Sequence, residues 1–247
     1  MRFRRLLVLT TSILLAAAIL VGFAWTGSGQ IATVEAQGGA ITYPIVDTDQ
    51  TYCFDATGVI PCGESFNGQD AQYAGLQPAY QDNGDGTITD LNTGLMWIQD
   101  AGEKTTYAAA MAELETYTFA GYDDWRLPNA KELQSLLDYT RSPTTTGSAA
   151  IDPVFGVSTI TDEGGGTNYP FYWTGTTHKD GMNFGEAAVY VAFGEASGFM
   201  ETPPNSGVYS LWDVHGAGAQ RSDPKSGDPN NYTDGRGSPG QDDQVRI

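Results

Sequence analysis

The chain has 247 residues, 30 of them acidic and 12 basic, for a formal net charge of −18. That balance argues against nucleic acid and anionic membrane surfaces as partners, because both are bound chiefly by clustered Lys and Arg that displace counterions. Neutral glycans and cations stay open, and the length leaves room for one large domain with a proper core.

The N-terminus reads as an export signal: Arg2, Arg4 and Arg5 precede an almost uninterrupted apolar run from Leu6 to Trp25. A small-x-small-like site at Val34-Glu35-Ala36 predicts cleavage after Ala36 and a mature chain from Gln37. The competing reading is an uncleaved anchor that crosses the bilayer once with its arginines in the cytoplasm, which would be the chain's only membrane contact. Both readings place the rest of the chain outside the cytoplasm: secreted, periplasmic or at the cell surface. Losing residues 1–36 removes three arginines and one glutamate and takes the net charge to −20.

From Gln37 to about Gln81 the sequence is rich in Gly, Thr, Asp and Tyr without a helical period, which predicts an irregular but packed arm. It carries Cys53 and Cys62. Outside the cytoplasm a disulfide between them is chemically permitted, and closing such a loop contributes about 2–3 kcal/mol. The alternatives are free thiols or a pair of metal ligands, although no second CxxC or His cluster supports a metal.

The main domain is predicted from residue 82 to 247. The turn cluster Asp82-Asn83-Gly84-Asp85-Gly86, then Thr87 to Asp90, a second turn at Asn92-Thr93-Gly94, and Leu95 to Ile98 read as a β-hairpin. Tyr107, Ala110, Met111, Leu114 and Tyr117 recur at helical spacing behind a potential N-cap, Thr105 or Thr106. A second helix starts at Asn129, with Glu132 placed for a capping box and Leu133, Leu136 and Leu137 as its buried stripe; Arg141-Ser142-Pro143 ends it. Phe171 to Thr177, Ala187 to Phe193 and Val208 to Val214 read as strands. Ala217 to Asp243 reads as a long surface loop, with Val245-Arg246-Ile247 starting another strand. Two grouped helices followed by strands make the fold class α+β.

Four stretches together resemble a known family: Tyr43-Pro44-Ile45-Val46-Asp47-Thr48, Asp82 to Thr87, Thr93-Gly94-Leu95-Met96-Trp97, and Gly121-Tyr122-Asp123-Asp124-Trp125-Arg126-Leu127-Pro128-Asn129. Tyr172-Trp173 and the run Asp213 to Gln220 follow in the family's order. The chain is similar to the bacterial DUF1566 family, also called the Lcl C-terminal domain after a Legionella collagen-like adhesin, from about residue 43 to 247. The resemblance implies a C-type-lectin-like fold and extracellular or cell-surface binding. Family members commonly close with a cysteine-bearing strand where this chain stops at Val245-Arg246-Ile247, so the resemblance also implies that a last strand is lacking and a sheet edge left uncovered. For the adhesin it implies attachment to sulfated glycosaminoglycans. Here the negative charge opposes that ligand, and Lys179, Arg221, Lys225, Arg236 and Arg246 are scattered.

Catalytic constellations are weak. Formylglycine-generating enzymes share a WRLP-like helix start but work through a cysteine pair deep in the C-terminal half, whereas both cysteines here lie in the arm. Trp125 and Arg126 read as a core plug with a buried charge partner, Asp123 or Asp124, and Trp97 and Trp173 as core. His178 and His215 lie in no recognised nucleophile motif. Strand alternation would put Asp213 and His215 on one face, near Arg221 and Asp223, as a hydrogen-bond network. Pairs among so many acids carry no glycosidase signal.

No cofactor is expected apart from a weak calcium candidate at Asp82, Asp85 and Asp90. That loop fails the EF-hand spacing, because Gln81 and Asn92 would fall where carboxylates are needed. A ligand surface is placed instead on long loops around Tyr209, Trp212, Tyr232 and the Gly-rich stretch after His215, with Asp213, Arg221 and Asp223 nearby. The leading expectation is a non-catalytic module binding an extracellular glycan or protein, oligomeric or not. The alternative is a structural or assembly subunit that takes its last strand from another chain. An enzyme ranks third.

Overall fold

Turn chemistry dominates the start of the domain. In the computed structural model, which describes residues 44–63, 66–162, 164–179, 185–227 and the backbone of 245–246, the Asp82 carboxylate accepts from Gly84 N at 2.8 Å and Asp85 accepts from Thr87 N and Oγ1. These bonds fold the chain back between β3 (Tyr80–Asp82) and β4 (Thr87–Asp90). Asp90 does the same for the next turn, accepting from Asn92 N, Thr93 N and Thr93 Oγ1, and delivers β5 (Met96–Ile98). The result is an antiparallel sheet in the order β3-β4-β5, one strand more than the predicted hairpin, with Ile88 fully buried at its centre. Ahead of it the arm carries a hairpin of β1 (Cys53–Asp55) and β2 (Gly58–Ile60), a single 3-10 turn (Asp70–Gln72) and a disulfide joining Cys53 to Cys62.

Three α-helices occur among the described residues, where two are predicted. Thr106 caps α1 (Tyr107–Leu114) through Ala109 N. Ala110 is buried and Tyr107 and Leu114 pack inward, while Met111 is exposed and Tyr117 lies past the helix end. α2 (Ala130–Gln134) has the predicted capping box: Asn129 Oδ1 accepts from Lys131 N and Glu132 N, and Glu132 Oε2 accepts from Asn129 N at 2.8 Å. It is shorter than its apolar pattern suggests. Leu136 and Leu137 are buried from the turn that follows, because inward direction is set there by tertiary contact and no longer by helical period. Arg141-Ser142-Pro143 does not end that helix, which already stops at Gln134; Ser142 and Pro143 instead cap and open α3 (Pro143–Thr146), with proline at the first helical position, where its missing N–H costs nothing.

The larger sheet has the order β12-β9-β8-β13, built from β8 (Phe171–His178), β9 (Ala187–Ala192), β12 (Gln220–Pro224) and β13 (Val245–Arg246). β13 runs parallel to β8, pairing Val245 with Phe171 and Arg246 with Tyr172; the other pairings are antiparallel. β12 corrects the expectation of an unbroken loop from Ala217 to Asp243. Its polar sequence has no apolar alternation, and it is held by a five-residue ladder to β9. Two-stranded sheets of β6 (Ile160–Thr161) with β7 (Thr167–Asn168) and of β10 (Ser197–Glu201) with β11 (Tyr209–Asp213) complete an α+β architecture.

β9 explains how two cores coexist. Alternate side chains of a strand point to opposite faces, so Val191 joins a cluster with Ile88, Leu133, Leu136 and Phe155, while Ala188, Tyr190 and Ala192 join one with Leu127, Phe171 and Trp173. Trp173 and Tyr190 meet edge to face at 5.5 Å, and the Trp173 indole N–H donates to Thr105 O at 3.1 Å, tying β8 to the start of α1. Trp173 is therefore core, as expected. Trp97 and Trp125, expected as core, are only partly buried; Trp97 packs at the margin of the first cluster, and Trp125 belongs to neither.

Candidate binding site

The predicted site residues divide into those that hold the backbone and those that face solvent. Asp213 Oδ1 accepts from Ala196 N at 3.1 Å and from Gly216 N at 2.7 Å, and Arg221 donates to Ser197 O at 3.0 Å and Ala196 O at 2.6 Å. Both therefore fasten the root of the β10–β11 ribbon, and Asp223 is buried in β12. β11 ends at Asp213, which places His215 in the exposed turn beyond it; the expected Asp213–His215 face does not form, because Asp213 is used to close that turn. The other histidine, His178, bonds through Nδ1 to Ser222 Oγ at 2.7 Å, linking β8 to β12. Tyr232 lies outside the described residues.

Tyr209 and Trp212 share a strand, not loops, and its register sends them to opposite faces. The register pairs Gly198 with Trp212, Phe199 with Leu211, Met200 with Ser210 and Glu201 with Tyr209. Directly opposed residues share a face, so Trp212 and Met200 lie on one side of the ribbon and Tyr209, Phe199 and Leu211 on the other. Trp212 is 53% exposed, Met200 47% and Tyr209 43%, with Phe199 and Val208 also exposed. Opposite Trp212 stands a glycine, so no neighbouring side chain shields that part of the indole across the pair. At the far end, Glu201 accepts from Asn205 N and Gly207 N and closes the connecting loop. Phe199 and Met200 were not singled out in the sequence, where two adjacent apolar residues beside glycine give no sign that they straddle an exposed ribbon.

The ribbon's surroundings are acidic. Burial, with Asp213 and Asp162 close by, raises the Glu195 carboxyl above its usual range. A partner arriving here meets aromatic surface flanked by negative charge, which favours a neutral or basic one.

Asp82, Asp85 and Asp90, the calcium candidates, each use their oxygens on their own turn, and no group of three or more His, Cys, Asp or Glu side chains is placed to hold a metal among the described residues. The Arg126 partner also differs from expectation. It is Glu132, gripped through both Nη atoms at 2.8 and 2.9 Å, since the capping box brings Glu132 back over the helix start where Arg126 lies. Arg126 is itself largely exposed, so the buried member of the pair is the acid.

Beside this ion pair lies a cavity of about 450 Å3, walled by β5, the segment 122–128, the start of α2, residues 151–157 and β8. Nothing in the sequence pattern marks it, because its walls come from five separated stretches.

No helix among the described residues is long and apolar enough to cross a membrane, and the apolar run at 6–25 lies outside them. No curated protein and no solved structure shows significant similarity to the chain. Residues 86–215 match the family model of the Lcl C-terminal domain, a span that runs from the β3–β4 turn through all three helices and ends just past the ribbon. The match covers more than half of the chain, carries the Asp90 turn, the capped α2 and Trp212 alike, and agrees with the motif resemblance; the chain belongs to the Lcl C-terminal domain family.

Proposed function

We propose that the chain is an exported, non-catalytic binding module that contacts an extracellular glycan or protein through the β10–β11 ribbon. The observation that carries this reading is the exposure of Trp212, Tyr209 and Met200 on a ribbon whose root is locked by Asp213 and Arg221. Large apolar side chains held in water by a fixed scaffold are costly to leave uncovered and are typical of recognition surfaces. Family membership and the N-terminal signal pattern support an extracytoplasmic setting, and a C-type-lectin-like reading of the fold belongs to the same proposal. The acidic flank favours neutral or basic ligands over sulfated polymers. The non-catalytic reading is supported by the use of Asp213 and Arg221 as backbone fasteners.

The test is a glycan and matrix-protein array probed with the chain from Gln37, with calcium and with chelator. A specific hit that is indifferent to chelator and lost in Trp212→Ala supports the ribbon. A hit retained in Trp212→Ala and Tyr209→Ala overturns it.

A second reading, an assembly subunit, is favoured by one observation: among the described residues β11 forms a ladder only with β10, the arrangement of an edge strand that another strand could extend. Light scattering that shows oligomers growing with concentration would support that reading.

A further inference from the structure

We infer that the cavity beside the Arg126–Glu132 pair is a second binding site, for an uncharged, ring-bearing apolar molecule of about fifteen to twenty heavy atoms. Its volume of about 450 Å3 lies within the range of small-molecule sites and would hold on the order of fifteen waters when empty. Its floor belongs to the cores: Leu133, Leu136, Phe155 and Phe193 are buried and all line it. Trp97, Trp125 and Tyr122 supply aromatic wall, and Trp125 is held by its indole N–H, which donates to Phe119 O at 3.2 Å, and by edge contact with Tyr122 at 6.3 Å.

The opposite wall is equally fixed. Gly156 N donates to Gln99 O at 2.8 Å and Gln99 Nε2 to Val154 O at 2.9 Å, holding residues 99–101 against 154–157. A concavity braced on both sides does not have to be ordered when a ligand enters, which removes a large part of the usual cost of binding.

Charge selects the ligand. Of the lining residues only Asp124, Arg126 and Glu132 are charged; Arg126 and Glu132 neutralise each other through two bonds, leaving exposed Asp124 at the rim. An anion is repelled by Asp124 and by the chain's net charge of −18, and a cation can meet the Asp124 carboxylate only at the exposed rim, so entering the apolar interior would cost it its hydration with no counter-charge beside it. An uncharged apolar body gains from leaving water and suffers neither penalty. This site is independent of the ribbon, on separate elements.

The probe is N-phenyl-1-naphthylamine, uncharged and of the right size, titrated into the protein expressed from its whole reading frame and purified as exported. We expect a saturable rise in probe emission with a Kd of about 1–100 µM, accompanied by energy transfer from tryptophan, because Trp97, Trp125 and Trp173 all line the cavity. Ala101→Trp and Val157→Trp, at partly exposed lining positions, fill its mouth and should each weaken binding at least tenfold. Trp212→Ala, on the ribbon, should leave probe binding unchanged while abolishing any array hit, so the two proposals fail separately. Absence of a saturable signal overturns the inference. Undiminished affinity in either folded mouth variant does so too, as does probe emission without energy transfer from tryptophan.

Discussion

Glu132→Gln tests how the α2 start is held. In the native chain Glu132 Oε2 accepts from Asn129 N and Arg126 Nη1, both at 2.8 Å, and Oε1 accepts from Arg126 Nη2 at 2.9 Å, with the carboxylate side chain only 9% exposed. Glutamine has the same shape and can still accept from Asn129 N, but its amide N–H2 would face a guanidinium donor. One charge-assisted bond is lost, worth about 1.5–3 kcal/mol in a buried setting. Arg126 is 57% exposed and can turn to water, which puts the expected loss near the lower end, about 1.5–2 kcal/mol. For a domain of this size that is a fall in Tm of roughly 3–8 °C. The pH dependence supplies the check. The bonds from Arg126, then the Asn129 amide, hold the Glu132 carboxyl below its usual range despite burial. A lowered folded value means the stabilisation is complete above the unfolded value of about 4.3 and drains away as pH falls through the folded one. Melting of both proteins, followed by near-ultraviolet circular dichroism at pH 7 and at successively lower pH, should therefore show the gap closing in acid, where protonated Glu132 resembles glutamine. A gap that persists undiminished in acid would refute the ion-pair account and leave packing as the cause.

The other expectations divide the surface from the frame. Trp212→Ala and Tyr209→Ala should lower Tm far less than Trp173→Ala, since the two are already 53% and 43% exposed, whereas Trp173→Ala should cost about 3–5 kcal/mol and melt the fold in the same scan. Reducing the Cys53–Cys62 disulfide, nine residues apart in sequence, removes about 2–3 kcal/mol of loop-closure stabilisation, and limited proteolysis should cut within the arm before the β3–β5 sheet. Gly218→Ala should destabilise by more than 1 kcal/mol on chemical denaturation, because Gly218 sits at φ +83° and a Cβ there would lie 2.9 Å from Tyr139 Cζ and closer still to its hydroxyl. Tyr139→Phe on that background should recover only part of the loss.

Local chemistry was the legible part of this fold. Asn129 with Glu132 three residues on, the aspartate-glycine turns, and the aromatic, β-branched runs that became β8 and β9 each act within a few residues of themselves. What escaped reading depends on partners distant in sequence. Gln220 to Pro224 reads as loop because nothing in it alternates; it is a strand only because β9 offers a backbone ladder. Arg126 has two aspartates close by in sequence, yet Glu132 takes it, because the helix cap has already fixed that carboxylate above the chain's approach. Trp212 was legible as exposed aromatic surface, but its companions Met200 and Phe199 become so only through the β10–β11 register.

The most distinctive stretch of the sequence, Trp125 to Glu132, is occupied with its own architecture. Trp125 donates to Phe119 O, Asn129 caps α2, Glu132 holds Arg126, and the segment reaches β8 through Gly175 N to Pro128 O at 2.8 Å and Ala130 N to Thr176 Oγ1 at 3.0 Å. Polar groups so fully engaged with one another have little left to offer a ligand; what they do is brace the wall of a cavity that the stretch lines with its apolar surface. The ribbon is the reverse case. It adds little to either core, its side chains are mostly in water, and two fasteners at its root, Asp213 and Arg221, fix its direction. A surface built this way can change its aromatic residues at little cost in stability while keeping its position, which is the physical condition for one scaffold to present different recognition surfaces.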